Sequence, residues 1–577
     1  MTATTGAAPR APHGPRGADA RVRAARLEAS LGDPYDPANP HGLATLFGAD
    51  DQRSVPRATE ALLDGAGLAA EFVPAEYGGR LTRADLLARV LRPVFRRDVA
   101  LGFGYGITSL FGAGPVWAAG TPEQRRRLAE LMTGGGRATI LHHELAHANA
   151  ILRHEFTAAH VPGGYRLDGR KDVIINAERA DARVVWARTD DARTPRSHSV
   201  LLLDADDAET VRQLPRVATP GMRGALFSGL EFTGHPVPAD ALVGRSGEGV
   251  ALALRTFQVN RSLICGVVTA AVDTVLHSAV RAALTGRSTV AKRWHKQLTG
   301  VFADLLACDA MSTVVLRALS LLPDRAHVFA AAVKYVVPNL LREDLDELAT
   351  VLGARGFDYE SAEFGALDKL VRDLPVAGLG HAGSAACQAV IVPQLRGLAE
   401  RSWFAEEEPP PELFRLEADV PDLDYRLLGI AGGGDFMAAS LLGSASRLAA
   451  SRGVGGQIGA LAALAEAFAT ELRALREECR AIPARGAPDP AVIVLSDRYS
   501  LVVGAAAVLA VWENQSGNAS FLADPAWAVR ALGRMGMRLG IPVPDLPDGT
   551  HEGILEELVR RYRSGRSCDL DAVALAQ

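Results

Sequence analysis

The stretch "HHELAHANA", His142 to Ala150, holds the spacing in this chain with the clearest chemical meaning. His143-Glu144-Leu145-Ala146-His147 fits H-E-x-x-H. On a helix, that pattern puts two imidazoles one turn apart on one face, with a glutamate beside them as general base. This is the arrangement of a zinc metallohydrolase. The surrounding "TILHHELAHANAILRHEF" could be such a helix, with Glu155 or Glu178 as a third ligand. The pattern needs that helix to mean anything, so the elements around it decide the reading.

The chain has 577 residues, 48% hydrophobic and 22% charged, the balance of an ordinary globular protein with a large core. That length is enough for several domains. A net charge of −5 provides no basic field for nucleic acid. Lysine is confined to Lys171, Lys292, Lys296, Lys334 and Lys369, so nearly all positive charge is arginine. Cys265, Cys308, Cys387, Cys479 and Cys568 are far apart, with no C-x-x-C. This excludes a zinc ribbon and fits a reduced, cytoplasmic protein. The Pro/Gly/Arg-rich start has no apolar h-region and reads as a disordered tail. No run is expected to reach the length of a membrane span.

The pattern is helical from 41 to 137. "GTPEQRRRLAELMTGGG" reads as a capped helix, with Thr121 as N-cap, Pro122 in the first position and glycines at the end. From 138 to 247 short β-branched or aromatic runs alternate with glycine turns, which predicts a small β domain. Long helical patterns return from 248 to 400. The 401–577 region opens with the acidic, proline-rich "EEEPPP" strap. Beyond it, Ile458, Leu461, Leu464, Phe468, Leu472 and Leu475 form one apolar stripe, and "DRYSLVVGAAAVLAVWEN" reads as a buried helix. The predicted organisation is a tail over 1–40, a helical domain over 41–137, a β domain over 138–247, a helical bundle over 248–400 and a helical extension over 401–577.

This order, together with several local strings, resembles the acyl-CoA dehydrogenase family. "GLAAEFVPAEYGG" resembles the family's "G-L-x-x-x-x-x-P-x-x-x-G-G". "GTPEQRRRLAELMTGG" resembles its "G-T-x-x-Q-K-x-x-x-L-x-x-L-x-x-G". "YRLDGRKDVIINAERADARVVWARTD" resembles "W-x-L-N-G-x-K-x-W-I-T-N-A-x-x-A-x-x-x-x-x-A-x-T". "GMRGALFSGLEFTGHPVPADALVG", "GEGVALALRTFQVNR", "VLGARGF" and "LDKLVRD" carry the likeness to about residue 395. No single string decides it, but their order and spacing are specific. The resemblance implies a mainly α chain with a central β domain and a four-helix bundle. It also implies FAD held between the β domain and the C-terminal helices, an acyl-CoA or acyl carrier protein substrate, and a homodimer or homotetramer. The 401–577 region is similar to the helical extension of longer relatives.

Laid on the family's pattern, His143-Glu144-Leu145 falls on the flavin-facing "T/S-E-P" loop, and Ala148-Asn149-Ala150 falls on "G-S-D". The resemblance therefore assigns His142, His143, Ala148, Asn149, Val173, Ile175, Arg287 and Ser384 to the cofactor, and no residue to a metal. Val173 and Ile175 stand where relatives carry an aromatic ring and a hydroxyl. Arg287, in "GRSTV", is the counterpart of an arginine that relatives send across a subunit interface.

The resemblance implies a carboxylate base in "LGHAGS" (Leu379 to Ser384), where this chain has none, or on the earlier helix, where it has Asn260. His381 is the titratable group left for that role. The readings kept open are a flavoenzyme acting on an acyl thioester by altered chemistry in specialised metabolism, a flavin monooxygenase on the same scaffold, a non-catalytic scaffold, and a zinc hydrolase.

Overall fold

The computed structural model describes residues 16–147, 150–192, 194–205, 209–379, 381–483, 490–515 and 520–577. The chain starts with α1 (Arg16–Leu31), α2 (Leu43–Asp51), α3 (Arg57–Gly65), α4 (Ala84–Arg97) and α5 (Val99–Gly102). A π-turn at Phe103–Ile107 then leads into α6 (Thr108–Ala119), followed by α7 (Pro122–Thr133). The α7 N-terminus carries the expected capping box: the Thr121 hydroxyl accepts from the Gln124 N–H, and the Gln124 side chain accepts from the Thr121 N–H.

The expected tail over 1–40 is corrected over its second half, because α1 is an ordered helix. Its Ala20, Leu27 and Leu31 are fully or almost fully buried at a spacing of seven and four, an apolar stripe hidden in an arginine- and alanine-rich composition. Glu28 of α1 accepts from Arg97 of α4 at 2.9 Å.

Eight strands follow: β1 (Ala138–Leu141), β2 (Thr157–Val161), β3 (Gly164–Ile175), β4 (Ala182–Arg188), β5 (His198–Asp204), β6 (Val211–Leu214), β7 (Phe227–Pro238) and β8 (Leu242–Val243). The sheet runs β6-β7-β3-β2-β4-β5-β8, and β1 pairs in parallel with β4. Val184 and Trp186 of β4, with Val200 and Leu202 of β5, face the helical core. Val185, Ala187, Leu201 and Leu203 face a second core of strand residues. Both faces are covered, which is why these strands read as unbroken apolar runs. The Trp186 indole N–H donates to the Gly249 carbonyl at 3.0 Å, tying the sheet to the next helix.

The bundle is α8 (Gly249–Leu284), α9 (His295–Leu321), α10 (Ala326–Leu352), α11 (Ala366–Val376) and α12 (His381–Arg401). The extension adds α13 (Phe436–Arg447), α14 (Gly456–Arg480), α15 (Pro490–Gln515), α16 (Pro525–Leu539) and α17 (Thr550–Arg563). The expected stripe of α14 is buried from Leu461 to Leu475, and the small residues of α15 are buried as read. The "EEEPPP" strap is pinned by ion pairs, Glu406 to Arg325 and Glu408 to Arg447.

The expectation that no run reaches membrane-span length is also corrected. Four helical stretches, Val99–Ala119, Gly249–Leu284, Lys292–Leu321 and Pro490–Gln515, are long and apolar enough by length and composition. Between 72% and 100% of their apolar windows is buried inside the protein, so their hydrophobicity is spent on packing against one another.

Two of the family-like strings meet where the sheet joins the bundle. Asp373 of "KLVRD" accepts from the Met222 N–H of "GMRG" at 2.5 Å and from Lys369 at 2.6 Å. Lys369 is buried among Asp98, Asp373 and Asp50, which hold its ammonium charged against the cost of burial. Gly221 lets the chains approach, since a Cβ there would lie 1.8 Å from the Arg372 carbonyl oxygen. Gly221→Ala is therefore expected to cost about 1–3 kcal/mol of stability, read as a lower urea midpoint at unchanged slope.

Candidate functional site

The segment after β1 is neither helical nor free to move a proton. It continues as extended chain through His142 and His143, forms a bridge at Glu144 and turns at Leu145 to His147. Glu144 is buried and fully engaged: it accepts from the Glu155 N–H at 2.7 Å, the Phe156 N–H at 3.2 Å and Lys171 at 2.9 Å. Lys171 also donates to the His142 carbonyl at 3.2 Å. Burial pushes Glu144 upward, but Lys171 and the backbone N–H groups outweigh it, and the carboxyl titrates below its usual range. Burial pushes the Lys171 ammonium down to about 8.

The zinc reading of H-E-x-x-H is thereby overturned. Its glutamate is a structural counter-ion, and His143 and His147 sit on a turn where i and i+4 no longer share a helix face. Of the supposed third ligands, Glu155 faces His147 at 3.2 Å, and Glu178 accepts from Gln213 at 2.6 Å. Among the described residues, no metal-ligand cluster forms here.

His142 points inward. It is 6% exposed and packs edge-to-face against His143, His154, Trp186 and Phe257, with ring centroids 4.9–5.5 Å apart. Its Nδ1 has no hydrogen-bond partner among the described residues. Burial first, and then the neighbouring imidazole of His143 and the Lys171 charge, hold it neutral far below its ordinary value.

Val173 and Ile175 lie two apart on β3, both partly uncovered, with Ile174 buried between them. A bulge between Lys171 and Ile174 sets this face. Gly229 of β7 accommodates it, since a Cβ there would lie 2.7 Å from the Lys171 carbonyl oxygen. The Thr139 hydroxyl donates to the Ile175 carbonyl at 2.7 Å, which sets β1 beside β3. Asn176 then takes a left-handed turn at φ 63° and donates to the Gly104 carbonyl in the π-turn at 2.6 Å. Strand end, turn and π-turn thus form one rigid edge.

The vacant base positions lie in the bundle. Asn260 is buried on α8. Arg261 beside it is pushed down by burial, and the thiol of Cys387 is the group that acts on it. Lys334 of α10, also depressed by burial, feels Cys265, Cys387 and Arg261, and no carboxylate among the described residues. Its Nζ donates to the Gly378 carbonyl at 3.0 Å, just before α12. His381 begins α12, and its side chain lies outside the described residues, as do Ala148 and Asn149. Ser384 is half-buried in the first turn of α12. Arg287 is exposed beyond the far end of α8, a 36-residue helix about 54 Å long. It cannot join His142 and Val173 within one chain.

The structure therefore brings His142, Val173 and Ile175 to one edge and ties the α12 segment to Lys334. Lys171, Phe257, Arg261 and Lys334 were missed as site residues from sequence, and Glu144, read there as a base, proves to be the partner of Lys171. Lys334 carried a signal, being one of the few lysines and set in an apolar helical run.

A family assignment follows from this geometry and from comparison. Residues 46–135 match the acyl-CoA dehydrogenase N-terminal domain and residues 247–393 the C-terminal domain. Over those two stretches the chain carries the domains of the acyl-CoA dehydrogenase family. It is 25% identical over 336 residues to cyclohex-1-ene-1-carbonyl-CoA dehydrogenase of Geobacter metallireducens, covering 56% of this chain and 86% of that protein. Other curated relatives are matched over about half their length. An FAD-complexed acyl-CoA dehydrogenase from Bacillus anthracis shares the fold at a TM-score of 0.66 and 16% identity, over 95% of both chains. The prolyl acyl carrier protein oxidase AnaB aligns at 0.53 and 18% identity, over 66% of this chain and 98% of that one.

The buried histidines give the site an acid-side signature. Burial, then Lys171 and Arg188, push His198 down from 6.5 to about 4. The unfolded chain therefore binds a proton between these values that the native chain refuses, so stability falls as pH drops through that window. His198→Gln is expected to flatten the dependence by up to about 1.4 kcal/mol per pH unit, read from urea denaturation at a series of pH values.

Proposed function

We propose that this protein is a flavin-dependent enzyme acting on an acyl thioester, carried on CoA or on a carrier protein, by chemistry other than plain carboxylate-driven dehydrogenation. One observation carries the reading: neither base position has a carboxylate, and two desolvated cations, Arg261 and Lys334, stand beside them.

The edge at β3 fits a flavin. Val173 and Ile175 offer an apolar shelf to a flat ring, and the unpartnered Nδ1 of buried His142 offers a polar contact to a heteroatom edge. FAD, when bound, would supply a two-electron acceptor. Ser384 lies in the first turn of α12, where it could add a hydroxyl.

Arg261 and Lys334 are suited to hold negative charge on a thioester carbonyl oxygen, because fixed charges in a dry site act far more strongly than in water. His381, at the start of α12, is the group offered to take the α-proton. Proton removal stabilised by cations, without an obligatory hydride step, supports a rearrangement, elimination or ring closure in specialised metabolism. AnaB, by its name, acts on a prolyl carrier protein, and that likeness supports a carrier-bound substrate. The reading includes a cytoplasmic homodimer or homotetramer, in which exposed Arg287 reaches the site of a second copy.

The purified protein is expected to be yellow, and anaerobic addition of its thioester is expected to drive α-proton exchange with deuterated solvent. Bleaching by that thioester would instead assign ordinary dehydrogenation. Arg261→Met is expected to lower exchange at least about 10²-fold while leaving the flavin spectrum intact. A colourless chain that cannot be reconstituted with FAD would favour the scaffold reading. Oxygen uptake with reduced flavin and no thioester would favour the monooxygenase.

A further inference from the structure

A second cluster of chemical side chains lies away from this edge. Asp273 and His277 are one turn apart on the same face of α8, and Cys568 comes from the segment after α17. Asp273 is 13 residues beyond Asn260 along α8, about 20 Å on. All three residues are buried. His277 Nε2 is 3.5 Å from Cys568 Sγ and 3.4 Å from Asp273 Oδ1. The three ligand atoms lie within 4.8 Å of one another.

One ring nitrogen faces both a thiol and a carboxylate oxygen. If Nε2 carries a proton it donates to the carboxylate, whose Oδ1 also accepts from the Cys568 N–H at 3.1 Å, and the thiol turns to the same carboxylate. If it carries a lone pair, the thiol can donate, and the carboxylate oxygen is repelled. A cation among the three satisfies all of them. The spacing suits one: a tetrahedral zinc with bonds of about 2.0 Å to nitrogen and oxygen and about 2.3 Å to sulfur separates its ligand atoms by about 3.3–3.5 Å.

The surroundings prepare the same geometry. Arg96 holds the other carboxylate oxygen, Asp273 Oδ2, at 3.2 Å, leaving Oδ1 turned toward the cluster. Its charge is shared with Glu28 and Asp569, each at 3.7 Å. A hydrogen bond to the Arg566 backbone steadies the His277 ring, as an outer partner of a ligating imidazole does. A thiolate and a carboxylate together neutralise a divalent ion. Asp273 and His277 also line a cavity of about 320 Å³, walled by Tyr35, Arg281, Tyr562 and Gln577, from which water can reach a fourth position.

We propose that Asp273, His277 and Cys568 form a mononuclear zinc site that clamps the segment after α17 onto the bundle, with water as fourth ligand. Binding releases the Cys568 thiol proton to solvent and involves no redox change.

The test uses the full chain, purified under reducing conditions, stripped with a chelator, incubated with zinc chloride and desalted. One zinc per chain is expected in the wild type and in Cys479→Ser, and none in His277→Ala or Cys568→Ser. Cobalt(II) in the wild-type chain is expected to give red-region d–d bands with a thiolate charge-transfer band. This arm holds even where a variant fails to fold. A wild-type chain that keeps no zinc, equal zinc in folded Cys568→Ser, or a cobalt spectrum without the thiolate band would overturn the site.

Discussion

The arginines of α4 hold this protein together. Arg92 donates to Asp309 of α9, to Asp569 beyond α17 at 3.3 Å and to the Gly266 carbonyl of α8 at 3.0 Å. Arg96 reaches Asp273, and Arg97 reaches Glu28 of α1. One helix thus links the N-terminal element, two bundle helices and the last segment through charges that are nearly fully buried. Each such charge is tolerated only while its partners stay in place, and removing a partner from a buried pair costs about 3–5 kcal/mol. Long elements far apart in sequence are therefore held at fixed angles.

That rigidity reaches the candidate site through two smaller joints. Lys369 and its carboxylates fix the β6–β7 connection against α11, and Glu144 with Lys171 fixes the loop after β1. Both are buried charge pairs at the seam between sheet and helices. The partly uncovered Val173 and Ile175 sit beside the second joint, so the shelf they form is set by electrostatics behind it. Arg261 and Lys334, by contrast, are depressed by burial and, among the described residues, the groups that act on them are thiols and each other.

Much of the fold was legible in the sequence, because periodicity and caps report it locally. The α7 capping box and the α14 stripe depend on neighbours a few residues away; the box formed as read, and the stripe did from Leu461 to Leu475, while Ile458 at the helix start is exposed. The order of helices, sheet and bundle was carried by strings spaced along the chain. What was not legible depends on contacts across hundreds of residues. "HELAH" looked like a helix because its letters permit one; the strand pairing of β1 with β4 and the reach of Lys171 made it an extended turn. The α1 helix was hidden because its few buried side chains are sparse among charges, and its stability comes from α4 rather than from propensity. Arg261 and Lys334 were visible as letters, but their depression by burial is a property of the packed bundle alone.

The reach of Arg92 also orders events in time. Asp569 lies 477 positions after it. On a ribosome adding about 5–20 residues per second, roughly 24 to 95 s pass between the two. Over that interval Glu28 of α1 is already present for Arg97, and Asp273 and Asp309 follow as α8 and α9 are made, but Asp569 is still missing. The nascent chain therefore cannot close its central helix against all its partners as it emerges, and final packing is postponed until the segment after α17 has been made.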